Sequence, residues 1–350
     1  MWEGREGASI LGKSVLVGNV QIGGGAAVSV QSMTNTKTED VAATVAQINE
    51  LAAAGCDIVR VAVPTMEAAR AIGEIKEQVQ LPIVADIHFD HRLALAAMES
   101  GVDALRLNPG NISGEENIRE VAVMARRRGI PIRVGVNGGS IKDSSTDGMV
   151  EAALEQIKML NRYRFDDIVV SLKSSDVRTT IEANRRMRAI TGYPLHLGVT
   201  EAGLAISSAV KSALGIGTLL LEGIGDTIRV SVTGDVVREV EIAEEILSAC
   251  GMGRGVEVIA CPTCGRCEVD LAAIAEEIYA RTRGMRERMQ VAVMGCGVNG
   301  PGEASHADLG VACGRGEGLI FRKGEVVRKV GEGEIVGELM REIKSLTYNA

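Results

Sequence analysis

Apolar and polar positions alternate over residues 14–24 on either side of Gly18-Asn19, a period of two broken by a turn pair, which predicts an opening β-hairpin. A longer rhythm follows. Apolar runs rich in Val, Ile and Leu occur at 27–33, 57–64, 82–89, 104–109, 131–138, 167–174, 194–200 and 227–233, separated by stretches of helical periodicity. The first such stretch, 38–54, is expected to open on Thr38 as N-cap with an acidic first turn and to stop at Gly55. A helix over 236–250 follows the eighth run. Eight strand–helix units in succession predict an α/β chain that begins with a (β/α)8 TIM barrel. A doubly wound open sheet is the alternative, but no G-x-G-x-x-G follows the first strand and no G-x4-G-K-[ST] occurs anywhere.

After Gly255 the rhythm changes. A short strand at 256–260 runs into Cys261, a helix covers 268–283, and a strand at 290–295 runs into Cys296. A hairpin over 319–330 turns at Lys323-Gly324, and a helix over 333–346 closes the chain. These elements predict a second, small α/β domain, with Gly251–Gly255 as linker and domains at 1–252 and 253–350.

Composition sharpens this picture. Of 350 residues, 46% are hydrophobic but only 2% aromatic, so the core must be aliphatic, as parallel sheets covered by helices require. A net charge of −8 argues against nucleic acid or an anionic membrane as a general partner. No apolar run approaches the roughly 18–20 residues that span a bilayer. Seven cysteines, an odd and uneven set without a basic-plus-apolar leader, fit a reducing cytoplasm better than a disulfide framework.

Charge inside the strands is the strongest chemical signal. Arg60, Asp86, His88, Arg106, Asn108, Arg133, Asn137, Lys173, His196 and Arg229 all fall in apolar runs, where a buried parallel sheet normally excludes them. Strand side chains alternate faces, so Asp86 and His88, Arg106 and Asn108, and Arg133 and Asn137 share a face pairwise. Five cations on five strands with few strand carboxylates predict an anionic ligand at the barrel mouth, since an unpaired buried cation is costly. Arginine forks suit phosphate oxygens, and several together suit a diphosphate. Glu201 and Glu222 flank the last two strands; either can serve as a general acid or pair with an arginine.

The second domain carries Cys261-Pro-Thr-Cys264 with Cys267 beyond it, and Cys296 in a glycine-rich string. Two thiols in C-x2-C fit a zinc site or a redox dithiol, and with a third thiol from Cys296 they fit an iron–sulfur cluster as well. Cys267, Glu303, His306 and Cys313 are the candidates for a fourth ligand.

Several strings together resemble one family. They are Val30-Gln-Ser-Met-Thr-Asn-Thr36, Val84-Ala-Asp-Ile-His-Phe-Asp90, Arg106-Leu-Asn-Pro-Gly-Asn-Ile112, Pro194-Leu-His-Leu-Gly-Val-Thr-Glu-Ala-Gly203, Glu222-Gly-Ile-Gly-Asp-Thr227, Ala260-Cys-Pro-Thr-Cys264 and Asn299-Gly-Pro-Gly-Glu-Ala304. In order and over nearly the whole chain, they are similar to the bacterial 4-hydroxy-3-methylbut-2-en-1-yl diphosphate synthases of the methylerythritol phosphate route to isoprenoids. The resemblance implies a TIM barrel joined to a 4Fe–4S domain, without the inserted domain of plant-type members. It implies cluster ligation by Cys261, Cys264, Cys296 and Glu303. It also implies substrate binding by Arg60, Arg106, Arg133 and Lys173 with Asn108, Asn137 and His196 nearby, and Glu222 as proton donor. The implied reaction is reductive ring opening and dehydration of 2-C-methyl-D-erythritol 2,4-cyclodiphosphate, with flavodoxin or ferredoxin as electron donor. A homodimer in which one subunit's cluster domain closes over the other's barrel is implied as well. Cys267 and Cys313 depart from the family's ligand pattern. The rival expectation is a barrel enzyme on another phosphorylated substrate with a structural zinc domain.

Overall fold

The structure, a computed structural model, describes residues 12–285, 287–297 and 305–347. The chain divides into two compact units, Met1–Met252 and Gly253–Ala350. No described helix is long and apolar enough to cross a membrane.

The first unit opens with the expected hairpin, β1 (Ser14–Val17) and β2 (Val20–Gly23), paired antiparallel through a turn at Gly18-Asn19. Eight parallel strands follow: β3 (Ser29–Met33), β4 (Ile58–Ala62), β5 (Ile83–Asp86), β6 (Ala104–Leu107), β7 (Ile132–Asn137), β8 (Ile168–Lys173), β9 (His196–Leu197) and β10 (Thr227–Ile228). They lie side by side in chain order, β10 returns to β3, and a Val170–Leu195 bridge joins β8 to the β9 segment, closing the barrel. The outer layer comprises α1 (Val41–Ala53), α2 (Met66–Lys76), α3 (His91–Glu99), α4 (Glu115–Arg128), α5 (Thr146–Asn161), α6 (Val177–Ile190), α7 (Ala205–Ser212), α8 (Thr218–Leu221) and α9 (Val237–Ala249). A π-turn, Ala213–Gly217, links α7 to α8. The TIM-barrel expectation holds, with two adjustments. The first helix is capped by Asp40, whose carboxylate accepts from Ala43 N; Thr38 instead donates to Ala62 O at 2.6 Å, tying the loop to β4. Strands β9 and β10 are much shorter than their apolar runs.

Along each strand the inner face changes character within two residues. Ile58, Val84, Ala104 and Val169 form an apolar floor with Val15, Val17 and Ile22 of the hairpin. One alternation further along come Arg60, Asp86, Arg106 and Ser171. The hairpin therefore plugs the N-terminal end of the barrel, and the charged layers lie towards the end where strands meet their following loops.

The second unit is a five-stranded sheet, ordered β11 (Val256–Ala260), β12 (Met289–Met294), β13 (Leu309–Gly314), β14 (Glu317–Arg322) and β15 (Glu325–Gly331). The first three strands run parallel and the last two antiparallel. Helices α10 (Leu271–Thr282) and α11 (Ile335–Thr347) join one face through a core that includes Ile274, Ile278, Val291, Val293, Val311, Ile320 and Leu339. The sequence reading missed β13, whose glycine-flanked run is short and weakly apolar. Its Gly310 is required by packing: a Cβ there would lie 2.3 Å from the Phe321 ring of β14.

Replacing Gly310 by valine should therefore lower the thermal stability of the second unit by an overpacking cost of about 1–3 kcal/mol. Adding Phe321→Leu should restore part of it, and an unchanged unfolding midpoint in the single variant would refute the packing account.

Candidate active site

The strand ends enclose a cavity of about 270 Å³ lined by Arg60, Asp86, His88, Arg106, Arg133, Gly135, Asn137, Ser171, Lys173, His196, Thr200, Arg229 and Ser231. Seven strands thus contribute to it or to the residues just beyond. Register explains the convergence: Asp86 lies beside Arg106, Arg106 beside Arg133, and Asn137 beside Lys173 on neighbouring strands. Gly198 makes room for the Lys173 ammonium, because a Cβ at that position would lie 2.6 Å from Nζ and from Arg229 O.

Two carboxylates partly balance the five cations. Asp86 accepts from Arg106 Nη1 at 3.3 Å, and lies 3.8 Å from Arg60 Nε and 3.5 Å from His88 Nε2. Burial works against the Asp86 carboxylate, but His88 and the Arg60 and Arg106 charges overcome it and hold its pKa far below the usual carboxylate range. Glu239, buried on α9, pairs with Arg229 and also accepts from Ser32 Oγ and Val232 N. Arg229, expected to be an unpaired cation, is therefore neutralised within the protein. Positive charge still exceeds negative. Burial, reinforced by Arg229, brings the Arg60 guanidinium down to about 10. Burial together with Arg229 and Arg133 lowers the Lys173 ammonium well below its ordinary value. Lys173 has no hydrogen-bond or ion-pair partner among the described residues. His196 is buried with neither ring nitrogen bonded, and burial plus the Lys173 charge push its pKa far down, so the ring is neutral. Unspent positive charge beside an unsatisfied buried imidazole is the signature of a site shaped for an anion.

Two expected residues lie elsewhere. Asn108 lies at the end of β6 but turns aside, its Oδ1 accepting from Gly110 N at 2.9 Å to cap a 3₁₀ turn. It does not line the cavity. Glu222 is exposed at the C-terminal end of α8, before β10 begins, and so belongs to the opposite end of the barrel. Arg185 of α6 holds it in a bidentate ion pair that lowers its pKa, the reverse of what a proton donor needs. Glu201, the other acid considered, follows β9 at the mouth. Its φ of +54° is rare for a residue with a side chain and costs roughly 1–3 kcal/mol. Its Oε1 reaches to within 3.9 Å of a Cβ built at Gly139, in the turn after β7. Sequence spacing placed both acids near the last strands; their positions before β10 and after β9, and the Arg185 pair, separate them.

In the second unit, Cys261 and Cys296 follow adjacent parallel strands, β11 and β12, and so emerge at the same end of the sheet. Cys261 Sγ accepts from Gly295 N at 3.3 Å, and Cys264 is exposed on the loop. Backbone donation to sulfur, with Cys261, Cys264 and Cys296 at one sheet end, fits an iron–sulfur cluster. Glu303 lies outside the described residues. Among the described residues, no three His, Cys, Asp or Glu side chains close around a single ion. The other candidates for a fourth ligand are also accounted for. His306 adjoins Ser305, which packs beside Gly324 of the β14–β15 turn, at the opposite end of the sheet. Cys313 is buried and its thiol is pushed up to about 12 by burial and the nearby Cys267, so it stays protonated. Cys267 is half-buried like Cys261 and lies at the same strand end, beside Gly295, with its Sγ donating to Val269 O at 3.3 Å.

Two family models match, the GcpE TIM-barrel domain over residues 12–244 and the GcpE protein C-terminal domain over 257–345. A 4-hydroxy-3-methylbut-2-en-1-yl diphosphate synthase (flavodoxin) of Caldicellulosiruptor saccharolyticus is 53% identical over 342 residues, covering 95% of this chain and 99% of that relative. The Clostridium perfringens protein of the same name is 53% identical over 343 residues, covering 95% and 98%. Among solved structures, type I 3-dehydroquinate dehydratase from Clostridium difficile aligns with a TM-score of 0.53 at 14% identity, over 69% of this chain and 99% of that one, a likeness of barrel fold alone.

The depressed Lys173 pKa fixes a pH dependence. A bound anion favours the ammonium, so binding takes up a proton and affinity falls as pH rises through the lowered value, below the ordinary lysine range. Sulfate, whose own charge is constant there, should raise the unfolding temperature progressively less as pH rises through that lowered value. Lys173→Met should flatten that profile; an unchanged profile would exclude Lys173 as its source.

Proposed function

The chain belongs to the GcpE family, and we infer that it converts 2-C-methyl-D-erythritol 2,4-cyclodiphosphate into 4-hydroxy-3-methylbut-2-enyl diphosphate, as an oxidoreductase of isoprenoid biosynthesis. Near full-length identity to enzymes of that name carries the reading, and the cationic cavity gives it a physical basis.

Arg60, Arg106, Arg133 and Lys173 receive the cyclic diphosphate in this reading, with Asn137 and neutral His196 donating or accepting at its oxygens. Arg229 contributes less, being neutralised by Glu239. Asn108 shapes the loop that follows Arg106. Opening the ring converts a phosphodiester oxygen into a free phosphate oxygen, so negative charge grows on the diphosphate as the carbon–oxygen bond breaks. Fixed cations that exceed their carboxylate partners stabilise that growing charge more than the starting one, which lowers the barrier. Loss of the hydroxyl as water needs a proton, and Glu201 at the mouth replaces Glu222 as its source. A carboxylic acid in that role contributes about 10²–10⁴-fold.

Cys261, Cys264 and Cys296, with Glu303, would hold a 4Fe–4S cluster. Such a cluster, when bound, supplies the reaction's two electrons one at a time from an external one-electron carrier, flavodoxin or ferredoxin. An exposed apolar row of Leu204, Ile206, Val210, Leu214 and Leu221 supports a homodimer, since monomers seldom present such a row to water. An odd and uneven set of seven cysteines, ill-suited to a disulfide framework, supports a cytoplasmic setting.

Anaerobically prepared protein should contain about four irons and four sulfides per chain and sediment as a dimer. Stoichiometric zinc without sulfide, persisting after attempted reconstitution, would favour the structural-zinc alternative. Glu201→Gln should reduce turnover by about 10²-fold or more with the iron content intact, whereas Glu222→Gln should leave turnover nearly unchanged. The reverse ranking would restore Glu222 as the acid.

A further inference from the structure

Strand β3 carries no charge, yet its inner face holds two of the cavity's arginines. Gln31 Oε1 accepts from Arg133 Nη1 at 2.6 Å, and Met33 Sδ lies 3.0 and 2.8 Å from Arg60 Nε and Nη2. Gln31 and Met33 are two residues apart and so share the inner face. β3 and β7 stand four strands apart in a closed ring of eight, so the Gln31 amide reaches across the barrel axis to Arg133.

The amide is itself anchored. Gln31 Nε2 donates to Thr227 Oγ1 at 2.9 Å, and Thr227 Oγ1 donates to Ser29 O at 3.1 Å. That chain fixes which end of the amide faces Arg133, and all of its side chains are buried. The acceptor's chemistry sets it apart from the cavity's other restraints. Asp86 and Glu239 orient Arg106 and Arg229 while cancelling charge. An amide oxygen orients a guanidinium and leaves its charge for a ligand.

We propose that Gln31 is a positioning residue for the diphosphate site, holding the Arg133 fork in place across the barrel without neutralising it. The proposal rests on the reading of the cavity as a diphosphate site. It separates two properties that a structural role would tie together. A glutamate at position 31 would keep an acceptor for Arg133 and gain an ion pair, so the fold is preserved or strengthened. The same substitution spends the Arg133 charge, so affinity for a diphosphate falls.

The test is binding of inorganic diphosphate to the full-length, anaerobically prepared protein by calorimetry, with unfolding temperature and steady-state kinetics in parallel. Gln31→Glu should weaken diphosphate binding at least tenfold and raise KM with a smaller change in kcat, while its unfolding temperature is kept or raised. Gln31→Met, which removes the acceptor at similar volume, should weaken binding several-fold. Should Gln31→Glu fail to fold, Thr227→Val, which releases the far end of the amide, carries the test with a smaller loss of affinity. Wild-type affinity in the folded glutamate variant, or in both Gln31→Met and Thr227→Val, would overturn the proposal. Failure of the unmodified protein to bind diphosphate would instead remove the underlying reading of the cavity, and the proposal with it.

Discussion

Buried positive charge that the protein declines to cancel is the constraint on which the barrel depends. Arg60, Arg106, Arg133, Lys173 and Arg229 converge where solvent cannot fully reach them, against only Asp86 and Glu239. Such a cluster is tolerable because the surrounding fold is over-determined: an aliphatic shell between strands and helices, parallel pairing closed by the Val170–Leu195 bridge, and an apolar floor. The stability of that scaffold underwrites the strain of the site. The lowered ammonium of Lys173 and the unbonded imidazole of His196 are two local records of the same imbalance.

Much of this was readable in the sequence, because it depends on periodicity. Eight apolar runs gave the barrel, and cations within those runs pointed inward by alternation alone. Where the reading failed, the decisive information was non-local or conformational. Asn108 has the correct parity, but β6 ends one residue earlier and the side chain folds back on Gly110 N. Glu222 and Glu201 both flank short late strands, but Glu222 precedes β10 and Glu201 follows β9, which puts them at opposite ends of the barrel, and the Arg185 pair of Glu222 adds to the difference. Strand β13 escaped because Gly310, which weakens a strand signal, is there to admit the Phe321 ring. Neither the Glu239–Arg229 pair nor the Gln31–Arg133 bond has a local signature, since one joins a helix to a strand and the other spans 102 positions.

The second unit shows how little is needed to gather thiols once strand direction is set. Parallel neighbours end together, so a cysteine just past β11 and another just past β12 share an edge whatever the intervening helix does. The same logic removes His306, which precedes a strand instead of following one. Burial then sets one of the remaining sulfurs apart. Cys313 is withdrawn into the core, whereas Cys267 is half-buried like Cys261 and Cys296 and differs from them in the bond its Sγ gives to Val269 O.

The plugged floor has a consequence for traffic. With the hairpin packed against Ile58, Val84, Ala104 and Val169, the chamber has one doorway. Substrate and product must use it in turn, so a molecule of product that lingers is also a molecule of substrate excluded. The two compete for one address, and departure through that doorway becomes a step able to govern the overall pace.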